Sequence, residues 1–156
     1  MVSEMAELPP PGPDGYRNPA LAADAACIRM VDGRKQILLI VRGMEPSKGR
    51  LALPGGFVDY NEDPEDAVLR ELKEECGITG ELGSVVCVRG DPARDPRKHV
   101  VTIVYLVDAD EEPIAGDDAA EAAWHDLDGC LEYPLDRWAF DHHEVVRMVR
   151  EEHARR

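Results

Sequence analysis

Residues 56–78 read GFVDYNEDPEDAVLRELKEECGI, and their spacing dictates a loop, a helix and a sharp stop. Asp63 supplies a side-chain oxygen to cap free N–H groups, and Pro64 follows where its missing N–H costs nothing. Asp66 stands three beyond Asp63, where a Glu would complete a capping box, so this is a weaker variant of that motif. Gly77, followed by Ile78, suits a helix end in a left-handed turn. Between these limits Ala67, Val68, Leu72 and Cys76 supply a buried stripe. Glu71, Glu74 and Glu75 stand at i, i+3 and i+4, so their carboxylates emerge together on one face.

Three like charges at that spacing repel one another and weaken a helix unless something cationic sits among them. A cluster of hard oxygen ligands suits Mg²⁺ or Mn²⁺, which keeps several waters and bridges carboxylates to substrate phosphates. A solvated acidic face is the ordinary reading of a Glu run, and what favours the metal site instead is a family resemblance carried by the residues around it.

Composition bounds the rest. The 156 residues fit one domain with a substantial core. A net charge of −14 argues against nucleic acid as the main partner, because phosphate neutralisation needs clustered Lys and Arg. A small polyphosphate ligand stays compatible, given divalent cations and local basic residues. No apolar run approaches membrane-spanning length, and the N-terminus lacks the regions of a signal peptide. Cys27, Cys76, Cys87 and Cys130 show no C-x-x-C pairing, which points to free thiols in a reducing cytoplasm.

Along the chain, residues 1–17 form a Pro-rich flexible arm carrying PPPGPDG, and residues 18–156 form the domain. Strands are expected at 22–31 and 36–42, joined by a hairpin turn at Asp32-Gly33. A short extended segment covers 51–57, and further strands cover 82–89, 99–108 and about 120–126. An amphipathic helix is expected from Trp138 to Arg150. Strands with two well-separated helices indicate an α/β domain.

The series Gly56, Glu62, Arg70, Glu71, Leu72, Glu74, Glu75, Gly77, Ile78 resembles the Nudix box, G-x5-E-x7-R-E-U-x-E-E-x-G-U, with every specified position filled. Chance would give such a match on the order of once in ten million chains this size. The resemblance implies a mixed β-sheet sandwiched between helices, an α/β/α plan onto which about residues 18–152 can be laid. It also implies Mg²⁺-dependent hydrolysis of a nucleoside diphosphate linked to another group. Glu71, Glu74 and Glu75 would hold the metal, with the carbonyl of Gly56 or its neighbour joining them. Arg70 and Glu62 would orient those carboxylates, since a planar guanidinium can hold a carboxylate in place. Glu75 or Glu74 is a candidate base, and Asp118, Glu121 and Asp117 are alternatives from a later loop.

For the substrate, Pro92, Arg94-Asp95-Pro96-Arg97 and His99-Val100-Val101 resemble a stretch of ADP-ribose pyrophosphatases, although Lys98 stands where a small residue is common. The upstream NPALAAD resembles NPALTVD of the same group. These favour ADP-ribose, with a nucleoside triphosphate pyrophosphatase and a non-catalytic ADP-ribose sensor as alternatives. Arg42, Arg94, Arg97 and Lys48 are the basic residues expected near the phosphates or ribose, an Arg being preferred for its fork. Tyr60 is a candidate contact to the ligand, while Phe57 and Trp124 are expected in the core. His125, His142 and His143 are assigned no chemistry. A homodimer is compatible with this resemblance.

Overall fold

The computed structural model describes residues 8–116 and 118–156; Asp117 and part of the N-terminal arm lie outside the described residues. Residues 8–19 are exposed and precede the first strand, held by a turn in which the Gly12 N–H donates to the Tyr16 carbonyl. Seven strands follow: β1 (Ala20–Val31), β2 (Arg34–Arg42), β3 (Leu51–Ala52), β4 (Gly55–Phe57), β5 (Glu81–Arg89), β6 (Val100–Asp108) and β7 (Ala119–Asp126). The helices are α1 (Pro64–Cys76), the short α2 (Leu127–Cys130) and α3 (His142–Ala154).

Asp32 and Gly33 both take positive φ, 50° and 79°, which turns β1 tightly into β2 as the Asp-Gly pair predicts. The order β3-β2-β1-β6-β5 is mixed: β1 and β6 run parallel, and the other pairs are antiparallel. Both faces of the central strands are covered. Odd-numbered β1 residues Ala23, Ala25 and Cys27 meet Val68, Leu72 and Cys76 of α1. Even-numbered Ala26 and Ile28 share the opposite core with Val145, Val146 and Val149 of α3. The α/β/α sandwich expected from the resemblance is therefore present. No helix among the described residues is long and apolar enough to cross a membrane.

One feature of this sheet creates space. β1 pairs with β2 only from Ile28 to Val31, and from Ala22 to Asp24 it pairs instead with β4. β2 continues alongside β7 and β3. The sheet thus forks, and a cleft opens between the prongs.

α1 starts and stops where the sequence says. Asp63 Oδ1 accepts from the Glu65 N–H at 2.8 Å, and Gly77 is left-handed with its N–H on the Lys73 carbonyl. The terminal helix begins four residues later than expected. Leu51 forms a bridge with Trp138 and accepts the Ala139 N–H at 2.8 Å, so this backbone serves the sheet edge. Phe140 then takes φ 48° and breaks any helical continuation before His142.

Candidate active site

The cleft in the fork has a deep part and an acidic mouth. The deep part holds about 550 Å³ of empty space, a volume that includes its opening to solvent. Asp24, Arg42, Arg94, Thr102, Phe140 and His142 line it. The mouth is walled by Asp59, Glu71 and Asp118. Gly55, Gly56, Phe57, Glu75, Arg42 and Arg97 border both parts and join them.

The cation that the acidic helix face demands is partly supplied by its own Arg70. This guanidinium donates to Glu62 at 2.7 and 2.9 Å, to Glu71 at 2.9 Å, to Glu74 at 3.2 Å and to the Phe57 carbonyl at 3.2 Å. The fork holds Glu62 ionised down to about pH 2. Glu62 also accepts the Asp59 N–H, so the loop before α1 is tied to the helix through one arginine. Glu74 is more than half exposed on the outer side of this network and lines neither part of the cleft.

Glu75 is placed differently. It is buried, and its Oε1 accepts the Gly55 N–H at 2.8 Å. Burial pushes its carboxyl up to about 8; the Gly55 N–H works against this, while Glu71, Asp24 and Asp118 add to it. Burial raises Glu71 too, despite the adjoining Arg70. Both shifts come chiefly from withdrawal of the carboxylates from water, and neighbouring carboxylates add to it. Gly56 lies so close to Glu71 that a Cβ there would fall 2.5–2.7 Å from the carboxylate atoms. The glycine lets the backbone and the carboxylate meet.

Among the described residues, no three carboxylate, imidazole or thiol groups converge tightly enough to cage a metal ion by themselves. The fit to a divalent cation rests instead on Glu71 and Glu75, two under-compensated carboxylates beside the Gly56 backbone, with Glu74 one turn away. Hard oxygen donors that leave room for water and phosphate match Mg²⁺ better than an all-protein cage would.

The basic residues are unequal. Arg94 forks onto Asp141 at 3.1 and 2.9 Å and donates to Thr102 Oγ1 at 2.9 Å, so most of its donors are committed. Arg97 forks onto Asp95 at 3.1 and 2.8 Å and passes over the Phe57 ring at 5.3 Å. Arg42 donates through Nε to the Pro46 carbonyl at 2.7 Å, and its guanidinium lies over Phe140. Burial, with Arg97 close by, lowers the Arg42 pKa. Among the described residues its terminal nitrogens have no hydrogen-bond partner, and they lie at the seam between the two parts of the cleft.

The NUDIX domain profile matches residues 20–149. The chain belongs to the Nudix family. It is 43% identical over 133 residues to a Methanocaldococcus jannaschii protein named ADP-ribose pyrophosphatase, covering 85% of this chain and 73% of that one. It is 34% identical to the ADPR responsive transcriptional repressor NtrR of Acinetobacter baylyi, covering 94% of this chain but only 59% of the repressor. A solved Nudix domain of Shewanella oneidensis NrtR, complexed with ADP ribose, superposes with a TM-score of 0.80 at 29% identity, over 90% of this chain and 92% of that one.

Within this Nudix fold several expected site residues gather at the cleft: Gly56, Glu71, Glu75, Asp118, Arg42, Arg94 and Arg97. Tyr60 does not; it is 95% exposed, beside an Asn61 whose positive φ turns the loop outward. Lys48 and Glu121 line neither part, Glu121 being exposed on β7 opposite Val41. Phe57, expected in the core, is instead 36% exposed under Arg97 and Lys98 at the cleft rim. Trp124 packs against the core as expected and donates to the Glu111 carbonyl.

Sequence reasoning missed Asp24 and His142. Both are buried at the cleft, where burial raises Asp24 to about 7 and lowers His142 to about 4. The signal for Asp24 was available: it is a lone charge in the apolar run ALAADAAC. Nothing local marks His142, whose Nδ1 accepts the N–H of Leu53, 89 positions away.

Proposed function

We propose that the chain is a Mg²⁺-dependent hydrolase that cleaves ADP-ribose to AMP and ribose 5-phosphate. The observation that carries this is the juxtaposition, across Gly55 and Gly56, of an acidic mouth and a deep cleft walled by arginines. A diphosphate spanning that seam would face Glu71 and Glu75 on one side and the free donors of Arg42 on the other. The relative named ADP-ribose pyrophosphatase and the solved domain holding ADP ribose support the choice of ligand.

Glu71, Glu75 and the Gly56 carbonyl would hold the cation, with Glu74 completing the set. The bound cation would supply charge neutralisation on the diphosphate and acidify a water. The protein's own groups do the remainder. Arg70 fixes the carboxylates by four hydrogen bonds and the loop by a fifth, to the Phe57 carbonyl, so little reorganisation is needed when the substrate arrives. Arg42 binds phosphate oxygens. Asp118, at the mouth and anchored by the bond from the Gly43 N–H to its carbonyl, accepts the proton of the attacking water.

A second reading draws on the Acinetobacter relative, whose name describes a repressor responsive to ADPR: the domain would bind ADP-ribose without cutting it. A product panel separates the readings. Purified protein with Mg²⁺ and ADP-ribose should give AMP and ribose 5-phosphate, and a chelator should stop the reaction. Release of pyrophosphate from nucleoside triphosphates, with ADP-ribose untouched, would assign a triphosphate pyrophosphatase. Saturable binding of ADP-ribose without product would assign the sensor.

A further inference from the structure

We propose that Asp24 is a specificity-determining residue, whose carboxylate takes the vicinal hydroxyls of the pentose beyond the diphosphate and turns away a third phosphate. This deepens the ADP-ribose reading and rests on it.

The placement begins with register. Asp24 pairs with Gly55 across β1 and β4, and a Cβ on Gly55 would fall 2.0 Å from Asp24 Oδ1. The bare glycine is what lets this carboxylate lie against the β4 backbone. The same Gly55 donates its N–H to Glu75. One residue therefore separates the acidic mouth from Asp24, so whatever group sits on Asp24 adjoins whatever sits at the mouth.

Asp24 is 8% exposed, yet no donor within hydrogen-bonding distance serves it among the described residues. The nearest is His142 Nε2 at 3.6 Å, too long for a hydrogen bond. Arg94 is spent on Asp141 and Thr102, and the Arg42 Nε on Pro46. Asp24 lines the cleft, and its side chain keeps 12% of its surface open, so a ligand entering the cleft can supply the donors that the protein does not. Once Asp24 is ionised, the ligand group must bring donors and must carry no negative charge, so the comparison of substrates is made at about pH 8 or above. Phosphate oxygens fail on both counts. Two adjacent hydroxyls supply two donors to the two carboxylate oxygens. A purine fits less well there, because the Arg42 guanidinium at 5.2 Å already covers one face of the Phe140 ring.

The test compares kcat/KM for ADP-ribose and ATP in the full-length protein and in Asp24→Asn. The variant should lose roughly ten- to hundredfold on ADP-ribose, chiefly through KM, as a lost hydrogen bond to a charged group implies. The ratio of ADP-ribose to ATP should fall with it. A structural role would lower both substrates together and leave the ratio in place, and that result overturns the proposal. Asp24→Ser serves as the second variant. The wild-type protein gives an independent arm: the methyl ester of ADP, which lacks the terminal pentose, should be cleaved less efficiently than ADP-ribose by a similar factor. Equal efficiency on the two compounds also overturns the proposal, even if neither variant folds. If wild type cleaves ADP-ribose while these comparisons fail, only the role of Asp24 falls. If wild type neither binds nor cleaves ADP-ribose, the functional reading falls and this inference with it.

Discussion

Glu75 and Arg70 divide the labour of the acidic helix between them. Arg70 gathers Glu62, Glu71 and Glu74 by direct hydrogen bonds, whereas Glu75 turns inward to a backbone N–H. Glu75→Gln keeps the volume and the Gly55 contact but removes the charge. It should cut turnover by roughly 10²–10⁴-fold, measured as AMP released, as loss of a group that would hold the cation implies. Its melting temperature without metal near pH 7 should match or exceed wild type, since the fold no longer has to hold a carboxyl whose pKa burial raises to about 8. Near-normal turnover in both this variant and Glu74→Gln would remove the metal-cluster mechanism. Arg97 is a different case, half-exposed and tied to Asp95 beside Phe57. Arg97→Ala should raise KM for ADP-ribose more than it lowers kcat, the pattern of lost uniform binding. An unchanged KM would detach this loop from substrate recognition.

At the scale of elements, what the sequence made legible was local. The cap at Asp63, the stop at Gly77 and the turn at Asp32-Gly33 each depend on neighbours within a few positions, and each is found as read. The start of α3 was misread because its cause is distant: Leu51 captures the backbone at Trp138 and Ala139. The commitment of Arg94 to Asp141, 47 positions away, was hidden for the same reason. His142 joins this class, since it ties the start of α3 to Leu53. A histidine with an ordinary pKa of 6.5 is here lowered to about 4 by burial. Between those values the unfolded chain binds more protons, so the stability His142 contributes is complete above 6.5 and is lost as pH falls toward 4. Asp24, raised from 3.8 to about 7, tilts the profile the other way, because the folded state then holds the extra proton. His142→Asn leaves the second tilt alone. Relative to wild type, its unfolding free energy in urea should decline from pH 4 to 7, by on the order of 2 kcal/mol. Parallel profiles would show that His142 titrates normally in the fold.

For the whole molecule, two layers of helix bury both faces of one sheet, and the thiols report that burial. Cys27 and Cys130 are fully buried, and burial pushes both up to about 12. Cys87 is only half-buried. In native protein near pH 8 a thiol reagent should modify Cys87 first, with Cys27 and Cys130 reacting only on denaturation, as peptide mapping would show. Early labelling of Cys27 would mean that the layers open far more readily than their packing implies.

The forked sheet carries a last consequence. On the proposed reading the cation-holding carboxylates arrive on α1, while Asp24, Thr102 and Val100 come from the β1–β6 prong, a separate stretch of chain. On the same reading, changes along that prong would exchange one leaving group for another while α1 and its carboxylates stay as they are. A single scaffold can in this way diversify its diet while its cutting edge stays fixed.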